Sequence, residues 1–286
     1  MSDHVALGVL TRTFPPELVD AVVRDTGREQ QRSRLLPARL VVYYAMAMAL
    51  FSSAGYEEVI RSLVEGLAWE SGWRRAWKVP SQPAISQARA RLGAEPLAEL
   101  FARGCVPLAT PSAPGAFWRG RRLVSMDGTT LDVADTPANA DEFGRPGSGR
   151  GSGQGAFRQL RVVALAECGT HAMFAAALGP YATGEATLAR KLAGALGPGM
   201  LLLADRGFTA HPLFSMFAET GADLCWRAKA NAVLPVLSRH ADGSFASELV
   251  ASDDQHARVR VRAVRVVEYE VQDPGRPRAE DTHYRL

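Results

Sequence analysis

Met200-Leu-Leu-Leu-Ala-Asp205-Arg-Gly-Phe208 is the stretch of sequence that decides the fold. Its five consecutive apolar residues predict a short, fully apolar strand. An aspartate comes directly after the last of them, so we expect the Asp205 side chain at the carboxyl end of that strand. A second stretch, Leu123-Val-Ser-Met-Asp127-Gly-Thr-Thr, has the same form. It predicts a strand over 123–126 that ends at Asp127.

Strand and helix signals alternate on both sides of these two stretches. We predict the return strand of a hairpin at 129–133, a glycine-rich loop over 136–157, strands at 160–166 and 172–178, a helix at 185–196, the apolar strand at 200–204, a helix at 212–220 and a strand at 223–227. Three leading strands followed by helix, strand, helix and strand form an RNase H-like arrangement. Residues 257–271 have the pattern of an extended ribbon.

The first part of the chain has the apolar periodicity of helices. We predict helices that begin at Pro15-Pro16 and at Pro37, and further helices over 56–67, 81–92 and 95–109, the last broken at Pro107. Proline suits a helix start because its missing N–H has no partner to lose there.

The helix predicted over 81–92 is short, polar and basic. We expect four residues to face inward: Ala84, Ile85, Ala88 and Leu92. Four others would face outward: Ser86, Gln87, Arg89 and Arg91. The outward residues have spacings that a recognition helix could use in a DNA groove. An ordinary solvated helix face explains them equally well, and the helix does not decide between the two.

Together these patterns predict an α+β chain with three regions. An all-helical N-terminal region, interpreted as DNA-binding, covers 1–118. The first part of an RNase H-like core, a mixed sheet with flanking helices, covers 119–231. The start of a β-rich insertion covers 232–286.

Composition limits the function classes. The chain is 47% hydrophobic and 22% charged, as globular proteins are. Its longest apolar run, 40–51, has twelve residues, whereas a membrane span needs about 20, so we expect no membrane partner. Residues 1–126 carry 16 Lys and Arg against 11 Asp and Glu, a mild indication of a polyanionic partner. The N-terminus lacks the pattern of a secretory signal, and we expect a cytoplasmic, nucleoid-associated bacterial protein.

Asp127 and Asp205 carry the predicted chemistry. Carboxylates at the ends of adjacent strands can hold two divalent ions, which activate a water or a 3′-hydroxyl on one side of a phosphodiester and stabilise the leaving oxygen on the other. Hard oxygen ligands suit Mg²⁺ or Mn²⁺. A single aspartate at a strand end is more often a turn residue or a helix cap, but here two occur in a coherent strand order.

Asp127-Gly-Thr-Thr and Ala204-Asp205-Arg-Gly-Phe208 resemble the first two acidic motifs of DDE transposases of the insertion-sequence-four type. The segment 184–190 between them is also similar to that family, as are 81–92 and the following Gly93-Ala-Glu-Pro-Leu. The resemblance implies that Asp127 and Asp205 are catalytic metal ligands for Mg²⁺ (or Mn²⁺). It also implies cleavage at element ends, joining to target double-stranded DNA, and a homodimer on paired ends.

The chain departs from the family at the third carboxylate. In the family this is a glutamate in the pattern Tyr, two residues, Arg, three residues, Glu, six residues, Lys, and no such pattern occurs here. Glu268, Glu270 and Glu280 lie in the predicted β-insertion and are poor substitutes. From this we expect a C-terminally incomplete family member with little or no transposition by itself.

Two further basic residues are candidates for contact with DNA. Arg206 follows one aspartate and Lys229 follows the last strand of the core, so both could contact DNA phosphates, although surface cations are usually only solvated.

A phosphatase of the haloacid-dehalogenase type would need a carboxylate nucleophile two residues before Asp127, where the chain has Ser125. A non-catalytic DNA-binding remnant, or an inhibitor of the intact transposase, stays open as the alternative.

Overall fold

The computed structural model describes residues 2–30, 36–71, 79–146, 157–252, 258–270 and 283–286. The chain divides into two compact units, Met1–Cys105 and Val106–Leu286. The functional regions 1–118, 119–231 and 232–286 stay predictions.

Prolines stand at the starts of most helices in the first unit, where a missing N–H costs nothing. Pro15 and Pro37 are the residues before helices α2 and α3, and Pro83 and Pro96 lie in the first turns of α5 and α6. The described helices are α1 (Ser2–Thr13), α2 (Pro16–Asp25), α3 (Ala38–Leu50), α4 (Tyr56–Ser71), α5 (Gln82–Leu92) and α6 (Glu95–Gly104).

One hydrophobic core holds the described helices of this unit together. It contains residues from α2, α3, α4, α5 and α6, among them Val22, Tyr43, Ile60, Ile85 and Leu100. The predicted helices are confirmed with three differences. Helix α4 continues to Ser71 rather than ending at 67. The helix α1 was not predicted, and α6 ends at Gly104 rather than continuing to 109. The chain is already extended at Cys105, directly after α6, and Pro107 disfavours helical geometry in the residue before it.

The second unit is built on a six-stranded mixed sheet. Its main path has the order β4-β3-β2-β5-β6, with β1 paired to β2, and β5 lies parallel to both β2 and β6. The elements are β1 (Phe117–Trp118), β2 (Arg121–Val133), α7 (Pro137–Phe143), β3 (Arg158–Glu167), β4 (Met173–Pro180), α8 (Glu185–Arg190), β5 (Met200–Ala204), α9 (His211–Ala218) and β6 (Asp223–Trp226). The α+β fold class with a helical N-terminal region and a mixed sheet with flanking helices is confirmed.

Three local predictions in this unit were wrong. The hairpin predicted at 123–133 is one continuous strand, because Gly128 stays extended and pairs with Val163 of β3 instead of turning. The loop predicted over 136–157 contains α7, whose start is capped by the Thr136 hydroxyl. The helix predicted over 185–196 ends at Arg190, and a single 3₁₀ turn, Ala193–Ala195, follows it. Residues 147–156 of the predicted loop lie outside the described residues.

Side-chain alternation along the strands defines two faces of the sheet. Val124 and Met126 of β2 and Leu202 of β5 are buried in the core, together with Leu188 of α8 and Phe217 of α9. The residues between them in the strands point to the other face. Asp127 therefore lies on the face opposite to this core.

The remaining described strands are antiparallel. Strands β7 (Ser238–Arg239), β8 (Phe245–Ser252) and β9 (Arg258–Val266) form one sheet, and β10 (Glu268–Glu270) pairs with β11 (His283–Arg285). The ribbon predicted over 257–271 is confirmed in β9 and β10. In the described part of the chain, no helix has both the length and the apolar character needed to cross a membrane.

Candidate functional site

The carboxyl ends of three parallel strands lie side by side in the second unit. Met126 of β2 is the partner of Ala204 in β5, and Ala204 is the partner of Trp226 in β6. The next residue of each strand is charged: Asp127, Asp205 and Arg227. The predicted neighbourhood of the two aspartates is therefore present, although Asp127 does not end its strand. The pairing of β2 with β5 ends at Met126, whereas the pairing of β2 with β3 continues through Asp127 to Val133.

Both aspartates are open to solvent. The Asp127 side chain is exposed, and its Oδ1 accepts a hydrogen bond from the backbone N–H of Gly128 at 2.8 Å. The Asp205 side chain is 58% exposed, and its Oδ1 lies 3.8 Å from Nη1 of Arg227. Each carboxylate thus keeps oxygen lone pairs for a hard cation. Within the described residues, no set of three or more His, Cys, Asp or Glu side chains is arranged to hold a metal ion as it stands.

Arg227 places a positive charge at one side of this pair of aspartates. Its guanidinium carbon lies 4.6 Å from the ring centroid of Tyr284, a cation–π distance, and its side chain is only 25% exposed. The Thr209 hydroxyl donates to the Arg227 carbonyl at 2.6 Å, and the N–H of Ala228 donates to the Arg285 carbonyl at 2.8 Å. Strand β11 therefore helps to hold Arg227 beside Asp205.

Glu185, the first residue of α8, lies close to both acidic motifs and was not among the residues predicted for the site. A Cβ built on Gly128 would stand 2.7 Å from Cδ of Glu185, and a Cβ on Gly207 would stand 3.9 Å from its Oε2. The carboxylate of Glu185 therefore lies against the two glycines that follow Asp127 and Asp205 in the chain. The sequence held one signal for it, its place in the family-like segment 184–190.

Arg206 and Lys229, predicted as phosphate contacts, follow the carboxyl ends of β5 and β6. Arg206 begins the 3₁₀ turn Arg206–Phe208 directly after Asp205 and is exposed. Lys229 is exposed two residues beyond Arg227. Their contacts with DNA stay predictions.

The predicted buried and exposed faces of α5 in the first unit are confirmed. Ile85, Ala88 and Leu92 are buried and Ala84 is half-buried. The four residues predicted to face outward are all exposed: Ser86, Gln87, Arg89 and Arg91. Arg89 lies over the ring of Tyr56, with Cζ 5.9 Å from the centroid. DNA contact by this face stays a prediction.

Two of the three glutamates considered as substitutes for a third carboxylate, Glu268 and Glu270, lie in strand β10. Glu268 pairs with Arg285, at 2.8 Å between Oε1 and Nη2. Glu270 is exposed in β10. Glu280 lies outside the described residues.

Comparison with known proteins identifies the family. A family model described as the transposase DDE domain matches residues 118–280, and one described as the insertion element 4 transposase N-terminal region matches residues 4–102. The chain belongs to the DDE transposases of the insertion element 4 type. Transposase DDE domains generally use divalent metal ions, and the two exposed carboxylates at adjacent strand ends fit such an ion.

Two curated relatives come from Escherichia coli (strain K12). The chain is 28% identical over 211 residues to the transposase InsG for insertion sequence element IS4, covering 74% of this chain and 46% of InsG. It is 23% identical over 213 residues to InsZ, provisionally named a transposase, covering 74% of this chain and 68% of InsZ. This DDE transposase chain therefore spans about half the length of InsG. A structure of the piggyBac transposase synaptic complex with hairpin DNA aligns with 93% of the chain and 60% of its own, at 13% identity and a TM-score of 0.39.

Proposed function

We propose that this chain acts in metal-dependent cleavage and strand transfer at the ends of an insertion element, with Asp127 and Asp205 as the metal ligands. The observation that carries the proposal is the pairing of Met126 in β2 with Ala204 in β5. The aspartate after each of these residues therefore lies next to the other, beyond the last paired residues of the two parallel strands. Membership of the DDE transposase family supports the reaction class.

The chemistry requires exposed carboxylates next to a DNA backbone. Divalent ions, Mg²⁺ or Mn²⁺, would activate an attacking oxygen and stabilise the leaving oxygen of a phosphodiester. In this proposal Asp127 and Asp205 hold the ions through carboxylate oxygens. Arg227 holds a positive charge on the far side of Asp205, where a phosphate of the bound strand can approach it. Arg206 and Lys229 add positive charge along the same edge.

Recognition of DNA is assigned to a second surface, the exposed face of α5. Ser86, Gln87, Arg89 and Arg91 would contact the double-stranded DNA of the element ends, and target DNA would meet the carboxylate edge. We further propose a homodimer on paired ends and an association with the bacterial nucleoid. Membership of a transposase family supports DNA as the partner.

We expect the 286-residue chain by itself to transpose little or not at all. The pattern that carries the family's third carboxylate does not occur in its sequence, and two carboxylates hold a second divalent ion weakly.

A non-catalytic DNA-binding protein is the second candidate. It would recognise element ends or inhibit an intact transposase through mixed complexes. The exposed polar and basic face of α5 supports DNA binding without requiring any chemistry at the aspartates.

Nicking and binding assays separate the two candidates. The chain would be incubated with labelled duplex DNA from the sequence flanking its open reading frame, with Mg²⁺ or Mn²⁺. We expect DNA binding, weak metal-dependent nicks and no joined products. Asp127→Asn and Asp205→Asn should abolish the nicks and leave binding intact, whereas Asp223→Asn, at the other end of β6, should keep both. Binding in all variants without nicks in the parent chain would establish the non-catalytic candidate instead.

A further inference from the structure

Glu167, the last residue of β3, is a fully buried carboxylate that the proposed reaction does not use. Its Oε2 accepts hydrogen bonds from the backbone N–H groups of Leu108 and Ala109, at 3.1 and 2.7 Å, and from the hydroxyl of Thr170. Its Oε1 forms an ion pair with Arg122 of β2. Hydrogen bonds to a carboxylate are charge-assisted and therefore stronger than those between neutral groups. Glu167 thus attaches the backbone at 108–109 to the sheet.

Arg122 strengthens this attachment from the neighbouring strand. Its Nη1 donates to the carbonyl of Ala109 at 3.3 Å, and its guanidinium carbon lies 4.9 Å from the ring centroid of Phe117. The N–H and the carbonyl of Ala109 are therefore both bound, one by Glu167 and the other by Arg122. Because Leu108 is 65% exposed, the attachment at that residue is made through its backbone rather than through burial of its apolar side chain.

The attached residues lie in the segment between α6 and β1, residues 105–116, which we call the connector. After Ala109 the connector forms turns with itself. It is attached to the sheet again at Ala116, which is fully buried and accepts a hydrogen bond from a backbone N–H of β2 at 2.9 Å. The attachment at 108–109 therefore leaves three residues, 105–107, between α6 and the first fixed point. Without it, eleven residues, 105–115, would lie between them.

The two tether lengths differ in reach. Three residues span at most about 10 Å, and eleven span at most about 38 Å. Pro107 stiffens the shorter tether further, because its ring fixes φ. When two surfaces of one chain contact the same ligand, the effective concentration of the second surface falls roughly as the −3/2 power of the tether length. Eleven residues in place of three would therefore lower it about sevenfold.

We propose that Glu167 is a positioning residue that fixes the connector and so keeps the tether between the exposed face of α5 and the sheet short. The inference rests on the proposed function, because it assumes that this face and the edge with Asp127 and Asp205 contact the same DNA. Glu167 itself takes no part in the chemistry. By shortening the tether, it keeps DNA that is bound by α5 at a high effective concentration beside the two aspartates.

Hydrogen exchange of the full chain measures whether Glu167 holds the connector. Leu108→Pro removes one N–H donor at an exposed position, and Leu108→Ala is the matched control that keeps the N–H and shortens only the side chain. We expect the Ala109 amide to exchange roughly tenfold faster in Leu108→Pro, the size of effect that follows from losing one hydrogen bond to a charged group. Leu108→Ala should exchange as the parent does. The amides of β5 should be unchanged in both variants, which shows that the sheet stays folded.

Glu167→Gln is an independent variant that leaves the sequence of the connector unchanged. Its side-chain amide keeps one oxygen for the N–H groups of Leu108 and Ala109 but removes the negative charge. We therefore expect faster exchange at Ala109 than in the parent. Glu167→Ala removes the acceptor altogether and should give a larger increase, so that glutamine restores part of the protection.

Affinity for duplexes of two lengths measures the consequence for DNA binding. A duplex of about four helical turns, from the sequence flanking the open reading frame, can reach both surfaces, whereas one of about one turn accommodates only a recognition helix. We expect Leu108→Pro to bind the longer duplex about five- to tenfold more weakly than the parent and the shorter one equally well. Leu108→Ala should match the parent on both duplexes, and fluorescence anisotropy measures all four affinities.

The outcomes separate this inference from the proposed function. Parent-like exchange of the Ala109 amide in both Leu108→Pro and Glu167→Gln would overturn the role of Glu167. Faster exchange combined with parent-like affinity for the longer duplex would overturn the role of the short tether and leave the proposed function standing. A parent chain that binds neither duplex would overturn the proposed function and the tether's role with it, whereas the exchange at Ala109 would still decide whether Glu167 holds the connector.

Discussion

Asp127 and Asp205 each stand one residue beyond the same pair of partners, Met126 and Ala204, in two parallel strands. They come from segments separated by two helices and two strands, and the parallel pairing of β2 with β5 makes them neighbours. Because both residues alternate with buried core residues, they point to the same face of the sheet. A single register thus sets the spacing, the direction and the solvent exposure of the two carboxylates.

The exposed face of α5 predicts a specific loss of DNA affinity. Arg89→Ala and Arg91→Ala should each weaken binding to duplex DNA roughly tenfold and reduce the slope of log affinity against log salt by about one, if each arginine contacts one phosphate. Fluorescence anisotropy over a range of salt concentrations measures both quantities. Arg24→Ala, an exposed arginine of α2 in the same unit, is the matched control. An equal loss in the control would show that general charge, rather than this face, binds DNA.

Substitution of Glu167 should lower the free energy of unfolding considerably. This fully buried residue accepts hydrogen bonds from the N–H groups of Leu108 and Ala109, at 3.1 and 2.7 Å, and from the Thr170 hydroxyl, and it forms an ion pair with Arg122. Glu167→Ala would leave several of these groups without partners, at a cost of about 3–5 kcal/mol. Thermal unfolding should show a lower melting temperature, and a smaller decrease for Glu167→Gln. A change under about 1 kcal/mol in Glu167→Ala would contradict the assigned network.

The carboxylate of Asp242, in the turn before β8, should make the stability of the fold depend on pH. Hydrogen bonds from the hydroxyl and the N–H of Ser244, together with the charge of Arg265, lower the pKa of Asp242 below its usual range. A carboxylate with a lowered pKa stabilises the folded state above its unfolded-state pKa of about 4, and this contribution is lost as pH falls through the folded-state pKa. The melting temperature of the parent chain should therefore exceed that of Asp242→Asn at pH 7. The difference should shrink as the pH falls below about 4, and a difference that stays constant would show that Asp242 does not contribute in this way.

Elements with a strong local pattern could be predicted from the sequence. Strand β5 was predicted with its observed bounds because five apolar residues stand between Gly199 and Asp205. The buried and exposed sides of α5 followed from helical periodicity in the same way. The two aspartates could be identified because each comes directly after a stretch predicted as a strand, although Asp127 in fact lies within β2.

Features that depend on distant parts of the chain could not be predicted. Gly128 resembles a turn residue in sequence, but the pairing of β2 with β3 on both sides of Gly128↔Val163 continues the strand through it. Glu185 is an ordinary residue at a helix start, and its contact with Gly128 arises only when α8 packs on the sheet. Arg227, beside Asp205, lies over the ring of Tyr284, more than fifty residues later in the chain.

Mn²⁺ titration of the parent chain and of Asp127→Asn, Asp205→Asn and the double variant tests the central claim most directly, which is that the two aspartates share one metal site. We expect each single substitution to weaken binding by at least about tenfold, and the double variant to lose less than the sum of the two effects because they act on the same site. Asp223→Asn, which removes a carboxylate at the opposite end of β6, should bind as the parent does. Parent-like Mn²⁺ binding in both single variants would contradict the account.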